Sequence, residues 1–214
     1  VSLAHNGVIF LDELPEFNRA ALEVLRQPLE EGFVHIRRAM YSVTFPSRFM
    51  LIAAMNPCPC GCRTDPRKIC RCSVGEIQRY MAKLSGPLLD RIDIHVEVPA
   101  LTFNELSDRR PTGVSSEEIR DRVQTARTRQ YNRNGNGVCN AHLEPKAVRE
   151  TCAASAPAMQ LLQAAIERLG FSARAYDKVL RVARTLADLD GEDLISDYHV
   201  AEAIQYRSLD REIF

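Results

Sequence analysis

The sequence has 214 residues, with 28 lysines and arginines against 28 aspartates and glutamates, so its formal net charge is zero. This length and an apolar content of 45% allow one large domain or two small ones with a substantial core. A net charge of zero argues neither for nor against a nucleic-acid partner. No apolar run has the length of a membrane span or the pattern of a signal peptide, so we expect a cytoplasmic protein without a membrane partner.

Residues 8–13 are the most informative stretch, four apolar residues followed by Asp12 and Glu13. A short apolar run predicts a strand buried on both faces of a parallel sheet. The carboxyl end of such a strand is where open α/β sheets bind ligands. Two carboxylates there suit phosphoryl transfer, because one can hold the water shell of Mg²⁺ while the other activates an attacking water. The alternative is a buried strand that ends in a polar turn.

The next segment combines a helical pattern with extended ones. Apolar residues at helical spacing predict a helix that begins near Asn18 and ends at Gly32. Loose alternation over residues 33–38 and 41–45 predicts a β-hairpin. A second continuous apolar strand is predicted over residues 49–55.

Five of the seven cysteines lie within fifteen consecutive residues. Such clustering in a chain without a signal peptide is more typical of metal or redox chemistry than of disulfides. Two Cys-x-Cys pairs, Cys58 with Cys60 and Cys70 with Cys72, could close a loop around one Zn²⁺ with four thiolates. Cys62 is a fifth candidate ligand. The alternative is a set of free thiols packed in a loop.

After the cysteines, residues 76–90 predict a helix and residues 92–98 predict a strand of alternating polarity. The alternation of strands and helices up to this point implies an α/β layer. Residues 107–116 are polar, contain Pro111 and Gly113, and are typical of a linker.

From Ser115 onward the sequence predicts only helices. Serines precede several of the helical patterns as candidate caps, and Gly170 and Gly191 follow two of them as stops. The predicted helices span residues 116–131, 144–154, 157–169, 172–189 and 197–208.

Taken together, four stretches resemble the AAA+ ATPases, and among these the magnesium-chelatase-like competence protein family (the ComM/YifB type). The order of the motifs along the chain is more specific than any single motif. The matching stretches are residues 2–17, 54–61, 84–93 and 172–185.

The resemblance implies an α/β fold, with a partial AAA+ P-loop NTPase core (a mostly parallel sheet with a hairpin insert) followed by an all-α lid domain. We place the core at residues 1–100, a linker and connecting helix at 101–136, and the lid at 137–214. The sequence contains no Gly-x-x-x-x-Gly-Lys-Ser/Thr loop to cradle phosphates. We therefore expect the chain to be the carboxyl-terminal part of a longer protein, and to be inactive as an ATPase by itself.

The resemblance also implies roles for residues at the ends of the two apolar strands. Asp12 and Glu13 match the Walker B pair, in which Asp12 holds Mg²⁺ through water and Glu13 polarises the attacking water. Asn56 matches sensor 1, whose amide can hydrogen-bond both the γ-phosphate of ATP and the lytic water. The alternative for Asn56 is a turn that begins before Pro57.

Two arginines match further motifs of the family. Arg91 matches the arginine finger, which is presented to the ATP of a neighbouring subunit and stabilises charge on the phosphoryl oxygens. Its alternative is an ion pair with Asp90 or Asp93. Arg174 matches sensor 2 at the start of a lid helix, acting on the nucleotide of its own subunit or of a neighbour. Its alternative is a solvated charge on a helix.

The predicted hairpin occupies the place of the pre-sensor-1 hairpin of this family. There the resemblance implies a tip that faces the pore of a hexameric ring and touches nucleic acid. Arg37 and Arg38 would contact phosphates, and Tyr41 would either stack on a base or pack on the sheet. For these residues alone, a solvated turn carrying two charges is the alternative.

As a whole, the resemblance implies an ATP-hydrolysing, DNA-translocating hexamer that uses ATP and Mg²⁺, with Zn²⁺ at the cysteines. It would act as a helicase or branch-migration factor on single-stranded or branched DNA during recombination and natural transformation. Two other functions stay open: a chelatase-type motor that remodels a protein partner, and a non-enzymatic zinc-stabilised interaction module. The cysteine-rich insert favours the competence branch over the chelatase.

Overall fold

A computed structural model describes residues 1–38, 41–107, 113–135 and 137–207, without the side chains of Arg38, Asn104 and Leu106. The described chain forms two compact units. The first unit comprises Val1–Ile92 and Glu97–Ala100, and the second comprises Asp93–Val96 and the described residues from Leu101 to Arg207.

The first unit carries both sheets of the described chain. Short 3₁₀ turns lie at Ser2–Ala4 and Leu14–Glu16. Its other elements, in chain order, are β1 (Val8–Leu11), α1 (Arg19–Val24), α2 (Arg26–Glu31), β2 (Phe33–Arg38), β3 (Tyr41–Pro46), β4 (Met50–Ala53), α3 (Val74–Met81) and α4 (Gly86–Leu89).

Strands β1 and β4 pair in parallel, with Val8 opposite Met50 and Leu11 opposite Ala53. The prediction of two apolar strands is confirmed, but the prediction that β1 is buried on both faces is wrong. Val8 is 55% exposed and Phe10 is 62% exposed, because β4 is the partner of β1 in the described chain and little packs over that face.

Strands β2 and β3 form a separate antiparallel hairpin, with Phe33 opposite Pro46 and Arg38 opposite Tyr41. This confirms the predicted hairpin. Gly32 ends the preceding helix in the left-handed conformation (φ 72°), as its predicted role as a stop requires.

The interior of the first unit is formed by leucines from the beginning and from the end of its sequence. These are Leu14, Leu22, Leu25, Leu84, Leu88 and Leu89.

Two predictions near this core are wrong. The helix predicted over residues 76–90 is split into α3 and α4, because Ser85 begins a new capped helix with proline in its first turn. Residues 92–98 form no strand, since alternation of polarity cannot replace a hydrogen-bonded neighbour, and the N–H of His95 donates instead to the carbonyl of Tyr206 at 2.7 Å.

The second unit is helical, as predicted. Its elements are α5 (Phe103–Ser107), α6 (Ser116–Asn134), α7 (Pro145–Thr151), α8 (Ala156–Leu169), α9 (Ala173–Asp190) and α10 (Asp197–Gln205). Serines cap four of these helices through their side chains: Ser115, Ser155, Ser172 and Ser196. Gly170 and Gly191 end α8 and α9 in the left-handed conformation. Helix α5 was not predicted.

A buried polar network ties α6 to α9 inside the second unit. The Arg133 guanidinium donates to both carboxylate oxygens of Asp188 at 2.6 and 2.7 Å. Asn140 Nδ2 donates to the same carboxylate at 2.8 Å, and Arg184 lies 3.3 Å from it. Burial lowers the pKa of Arg184, and the Asp188 carboxylate opposes that shift. One carboxylate therefore pairs with two guanidinium groups, of which that of Arg184 is buried.

In the described part of the chain, no helix combines the length and the apolar character needed to cross a bilayer.

Candidate functional site at the edge of the parallel sheet

The ends of the two parallel strands bring Asp12, Glu13 and Asn56 to one edge of the sheet. The register of β1 and β4 continues past the strands, since Ala54 N–H donates to the Leu11 carbonyl and Leu14 N–H donates to the Ala54 carbonyl, both at 2.9 Å. Asp12 and Glu13 occupy the connection between these hydrogen bonds, and Asn56 follows two residues after Ala54. All three side chains are exposed, so they are accessible to a ligand at the edge where parallel sheets bind ligands.

The backbone at Glu13 adopts the left-handed conformation, with φ 50° and ψ 48°. This conformation is costly for a residue that is not glycine. The carboxylate of Asp12 contributes to the turn by accepting the N–H of Glu13 at 2.9 Å. The turn therefore places Asp12 and Glu13 directly after β1.

Tyr80 of α3 lies beneath this edge and is only 7% exposed. Burial raises the pKa of Tyr80, and the nearby backbone of Asn56 opposes the increase. Electrostatic interactions with Glu16, Cys58 and Glu13 add to the increase in the pKa of Tyr80.

Arg91 is held within its own unit. Its Nη2 donates to the carboxylate of Glu30, and its Nη1 donates to the carbonyl of Pro87 at 2.6 Å. The side chain is only 12% exposed. The structure thus gives Arg91 an ion-pair partner 61 residues away that the sequence did not indicate. Asp93, one of the two expected partners, instead accepts from Lys178 at 2.6 Å.

Arg174 is an exposed residue in the first turn of α9, two residues after the Ser172 cap. Its position at the start of a helix of the second unit agrees with the motif that it matches. Its role toward a nucleotide stays a prediction.

Four cysteines form a compact cage next to Asn56. The sulfur atoms of Cys58, Cys60, Cys70 and Cys72 all lie within 4.8 Å of one another. The separations are 3.4 Å from Cys58 to Cys60, 3.7 Å from Cys58 to Cys70 and 3.6 Å from Cys60 to Cys70. Tetrahedral Zn²⁺ with Zn–S bonds of about 2.3 Å requires sulfur atoms about 3.8 Å apart. The residues present therefore fit a four-thiolate zinc site.

The pKa values of the cage thiols also favour a bound cation. Backbone hydrogen bonds from Cys62 and Arg71 lower the pKa of Cys60 to about 5. A backbone hydrogen bond with Cys72 acts to lower the pKa of Cys70, but burial and the neighbouring sulfur atoms outweigh it, so that pKa is raised. Thiols this close to one another cannot all be ionised unless a cation compensates their negative charges.

Cys62 lies outside this cage. Its thiol donates to the carbonyl of Cys60 at 3.3 Å. The candidate ligand set is thus the two Cys-x-Cys pairs.

The hairpin presents different chemistry on its two faces. Arg37 is exposed and is opposite Ser42, on the face where His35 hydrogen-bonds Thr44 at 2.8 Å. Tyr41 belongs to the other face, with Val43, and is 71% exposed. The side chain of Arg38 and residues 39–40 lie outside the described residues. Successive strand residues alternate between faces, so Arg37 and Tyr41 cannot act on the same side of the hairpin.

Two residues of this region were missed by sequence reasoning. Glu30 is an ordinary acidic residue on an amphipathic helix, and Tyr80 is a lone aromatic residue on another. No local pattern marks either of them, because each gains its importance from a contact with a distant part of the chain.

Comparison with known proteins gives two family matches that together span nearly the whole chain. Residues 1–106 match the family described as magnesium chelatase, subunit ChlI. Residues 113–207 match the family described as magnesium chelatase, subunit ChlI C-terminal.

Similar curated proteins occur in several bacteria. The chain is 45% identical over 211 residues to the competence protein ComM of Haemophilus influenzae, and 43% identical over 211 residues to the uncharacterized protein YifB of Escherichia coli. It is 40% identical over 209 residues to an uncharacterized protein of Mycobacterium tuberculosis. These alignments cover 97–99% of the chain and 41% of each relative. The chain therefore spans about two fifths of the length of these relatives.

Proposed function

Because this chain belongs to the magnesium-chelatase-like family of the ComM/YifB type, we propose that it is part of an ATP-hydrolysing AAA+ motor. One observation carries the proposal: Asp12, Glu13 and Asn56 lie at the carboxyl ends of two neighbouring parallel strands. In this proposal the Asp12 carboxylate binds the water shell of Mg²⁺ and Glu13 accepts a proton from the attacking water. The Asn56 amide orients that water and the γ-phosphate of ATP.

Arg91 and Arg174 complete the proposed nucleotide site. We propose that Arg91 acts on the nucleotide of a neighbouring subunit, in the hexameric ring that the resemblance implies. To do so, the guanidinium of Arg91 would leave the Glu30 carboxylate and bind phosphoryl oxygens instead. A carboxylate and a phosphoryl group both present anionic oxygens that can accept two parallel N–H bonds from a guanidinium. Arg174 supplies a positive charge from the lid, and the division into core, connecting helix and lid stays part of this proposal.

We propose DNA as the substrate on which the motor moves, with branch migration in recombination as its activity. Support comes from the relative named competence protein ComM and from the exposed Arg37 of the hairpin. The test is the ATPase activity of the full-length protein with and without branched DNA. Stimulation by branched DNA supports the proposal. Hydrolysis that responds only to a protein partner favours the chelatase-type motor, and no hydrolysis at all favours the interaction module.

Reversal of charge at the hairpin is expected to weaken DNA binding. In the full-length protein, Arg37→Glu with Arg38→Glu should lower DNA affinity and uncouple hydrolysis from DNA, while basal hydrolysis persists. The slope of log affinity against log salt should fall by about 0.7–0.9 for each phosphate that the variant no longer neutralises. Binding measured by fluorescence anisotropy at several salt concentrations checks this.

The matched control is Arg149→Glu with Arg168→Glu, which makes the same change in net charge on exposed helices of the second unit. It should leave affinity and slope near those of the unmodified protein. Equal losses of affinity in both double variants would show a general effect of charge and would argue against binding by the hairpin.

We also propose that Zn²⁺ is bound by Cys58, Cys60, Cys70 and Cys72, where it would supply a structural crosslink. The purified protein should carry about one Zn²⁺ per chain, and Cys70→Ser with Cys72→Ser should remove most of it. Elemental analysis gives the metal content. Cys62→Ser is the control and should retain the metal, since its sulfur lies outside the cage. A protein purified without metal whose stability is unaffected by chelator would contradict the proposal.

A further inference from the structure

Cys139 lies in the second unit, away from the cysteine cage in sequence, and it forms a pair with His142. Cys139 Sγ and His142 Nδ1 are hydrogen-bonded at 3.0 Å. Cys139 is partly exposed and His142 is exposed, so the pair lies at the surface of this unit. A thiol in contact with an imidazole can transfer its proton to the ring nitrogen, which leaves a nucleophilic thiolate beside a cation.

The turn that carries this pair is anchored at both ends. Asn140, the residue after Cys139, is buried, and its Nδ2 donates to the carboxylate of Asp188 at 2.8 Å. Leu143, the residue after His142, is buried in the core of the second unit. Between these anchors, the N–H of His142 donates to the carbonyl of Cys139 at 3.0 Å. The backbone therefore holds the thiol and the imidazole next to each other.

The charges around Cys139 favour its thiolate form. Burial raises the pKa of Cys139, but the hydrogen bond with His142 and the attraction of His142 and Arg127 outweigh burial and lower that pKa to about 7. Cys152, the other cysteine of the second unit, is buried, and burial raises its pKa. The second unit therefore contains one activated thiol and one inert thiol.

We propose that Cys139 is a modification site, a reactive thiolate that is oxidised by hydroperoxides with His142 as its ion-pair partner. A small oxidant suits a partly buried sulfur, and a proton donor beside the sulfur assists the leaving group. The sulfur attacks one oxygen of hydrogen peroxide, so that an S–O bond forms and the O–O bond breaks. Sulfur loses two electrons and becomes a sulfenic acid. The departing hydroxide takes the proton that His142 received from the thiol, which gives water and a neutral imidazole.

The test uses the full-length protein and measures the alkylation of each cysteine by iodoacetamide with mass spectrometry. The rate at Cys139 should be half-maximal near pH 7, and at this pH it should exceed the rate at Cys152 by about tenfold or more. In His142→Gln, which removes the cation but keeps a polar side chain, the pH of the half-maximal rate should rise to about 8.5 or above. His5→Gln is the matched control, because it makes the same change at an exposed histidine of the first unit and should leave this pH unaltered.

Oxidation is measured by treatment with hydrogen peroxide and trapping of the sulfenic acid with dimedone. The dimedone adduct should form at Cys139, and at pH 7 its rate should fall by about threefold or more in His142→Gln, since fewer thiols are ionised and the proton donor is lost. Half-maximal alkylation near pH 8.5 in the unmodified protein would overturn the proposal without reference to any variant. The same value in His142→Gln as in the unmodified protein would also overturn it. Alkylation near pH 7 without a dimedone adduct would exclude hydroperoxides as the oxidant and overturn the proposal as well.

Discussion

Glu13→Gln in the full-length protein is expected to lower ATP hydrolysis by about 10²- to 10⁴-fold, the contribution typical of a general base. The amide keeps the shape of the side chain but cannot accept a proton from water. The connection after β1 should be preserved, because the hydrogen bond that fixes it uses the N–H of Glu13 and the carboxylate of Asp12. Steady-state hydrolysis together with ATP affinity, measured by calorimetry, checks this result.

ATP binding should survive in this variant, because most phosphate contacts in such motors come from the phosphate-binding loop and Mg²⁺. Glu31→Gln provides the control: it makes the same chemical change at an exposed position of the first unit, in the last turn of α2. Hydrolysis within about threefold of the unmodified rate in Glu13→Gln would remove Glu13 as the base. The sheet edge would then have no support for its proposed catalytic role.

Asp188→Ala is expected to destabilise the second unit by about 3–5 kcal/mol, the cost of leaving buried charge without its partner. The Asp188 side chain is 0% exposed and bonds Arg133, Arg184 and Asn140 at once. The substitution takes away the carboxylate that lies 3.3 Å from Arg184, which is also buried. A change of this size is a large part of the total stability of a domain, about 5–15 kcal/mol. Thermal unfolding followed by circular dichroism measures it.

Asp193→Ala is the matched control for this experiment. Asp193 also pairs with an arginine, Arg129 at 2.5 Å, but its side chain is 100% exposed. Solvent screens such a pair, so its removal should change the unfolding temperature little. Similar shifts in the two variants would mean that burial does not determine the contribution of Asp188.

Features set by local pattern were predictable from the sequence. The apolar run before Asp12 predicted β1, and alternation around Arg37 predicted the hairpin. Serine caps and glycine stops predicted the helix boundaries of the second unit within a few residues, because capping depends on the residue and its immediate neighbours. The spacing of the Cys-x-Cys pairs likewise indicated the residues that form the cage.

Features set by distant contacts were not predictable. Arg91 was expected to pair with a neighbour in sequence if it did not act on nucleotide, yet its partner is Glu30. The alternating segment 92–98 has the composition of a strand, but a strand forms only where another strand supplies its hydrogen bonds. The burial of Tyr80 depends on how α3 packs, and no spacing in the sequence encodes it.

The hairpin of β2 and β3 has a mechanical consequence. Six residue pairs fix the register between its strands, whereas in the described part of the chain these strands share no sheet with β1 and β4. Both faces of β3 are exposed. The ribbon is therefore stiff along its length, and its base is fixed where the buried Ser47 donates its N–H to the Gly32 carbonyl at 2.8 Å. A force applied at the far end of the hairpin would therefore tilt β2 and β3 together. The movement would be transmitted to the end of α2, the helix that contains Glu30.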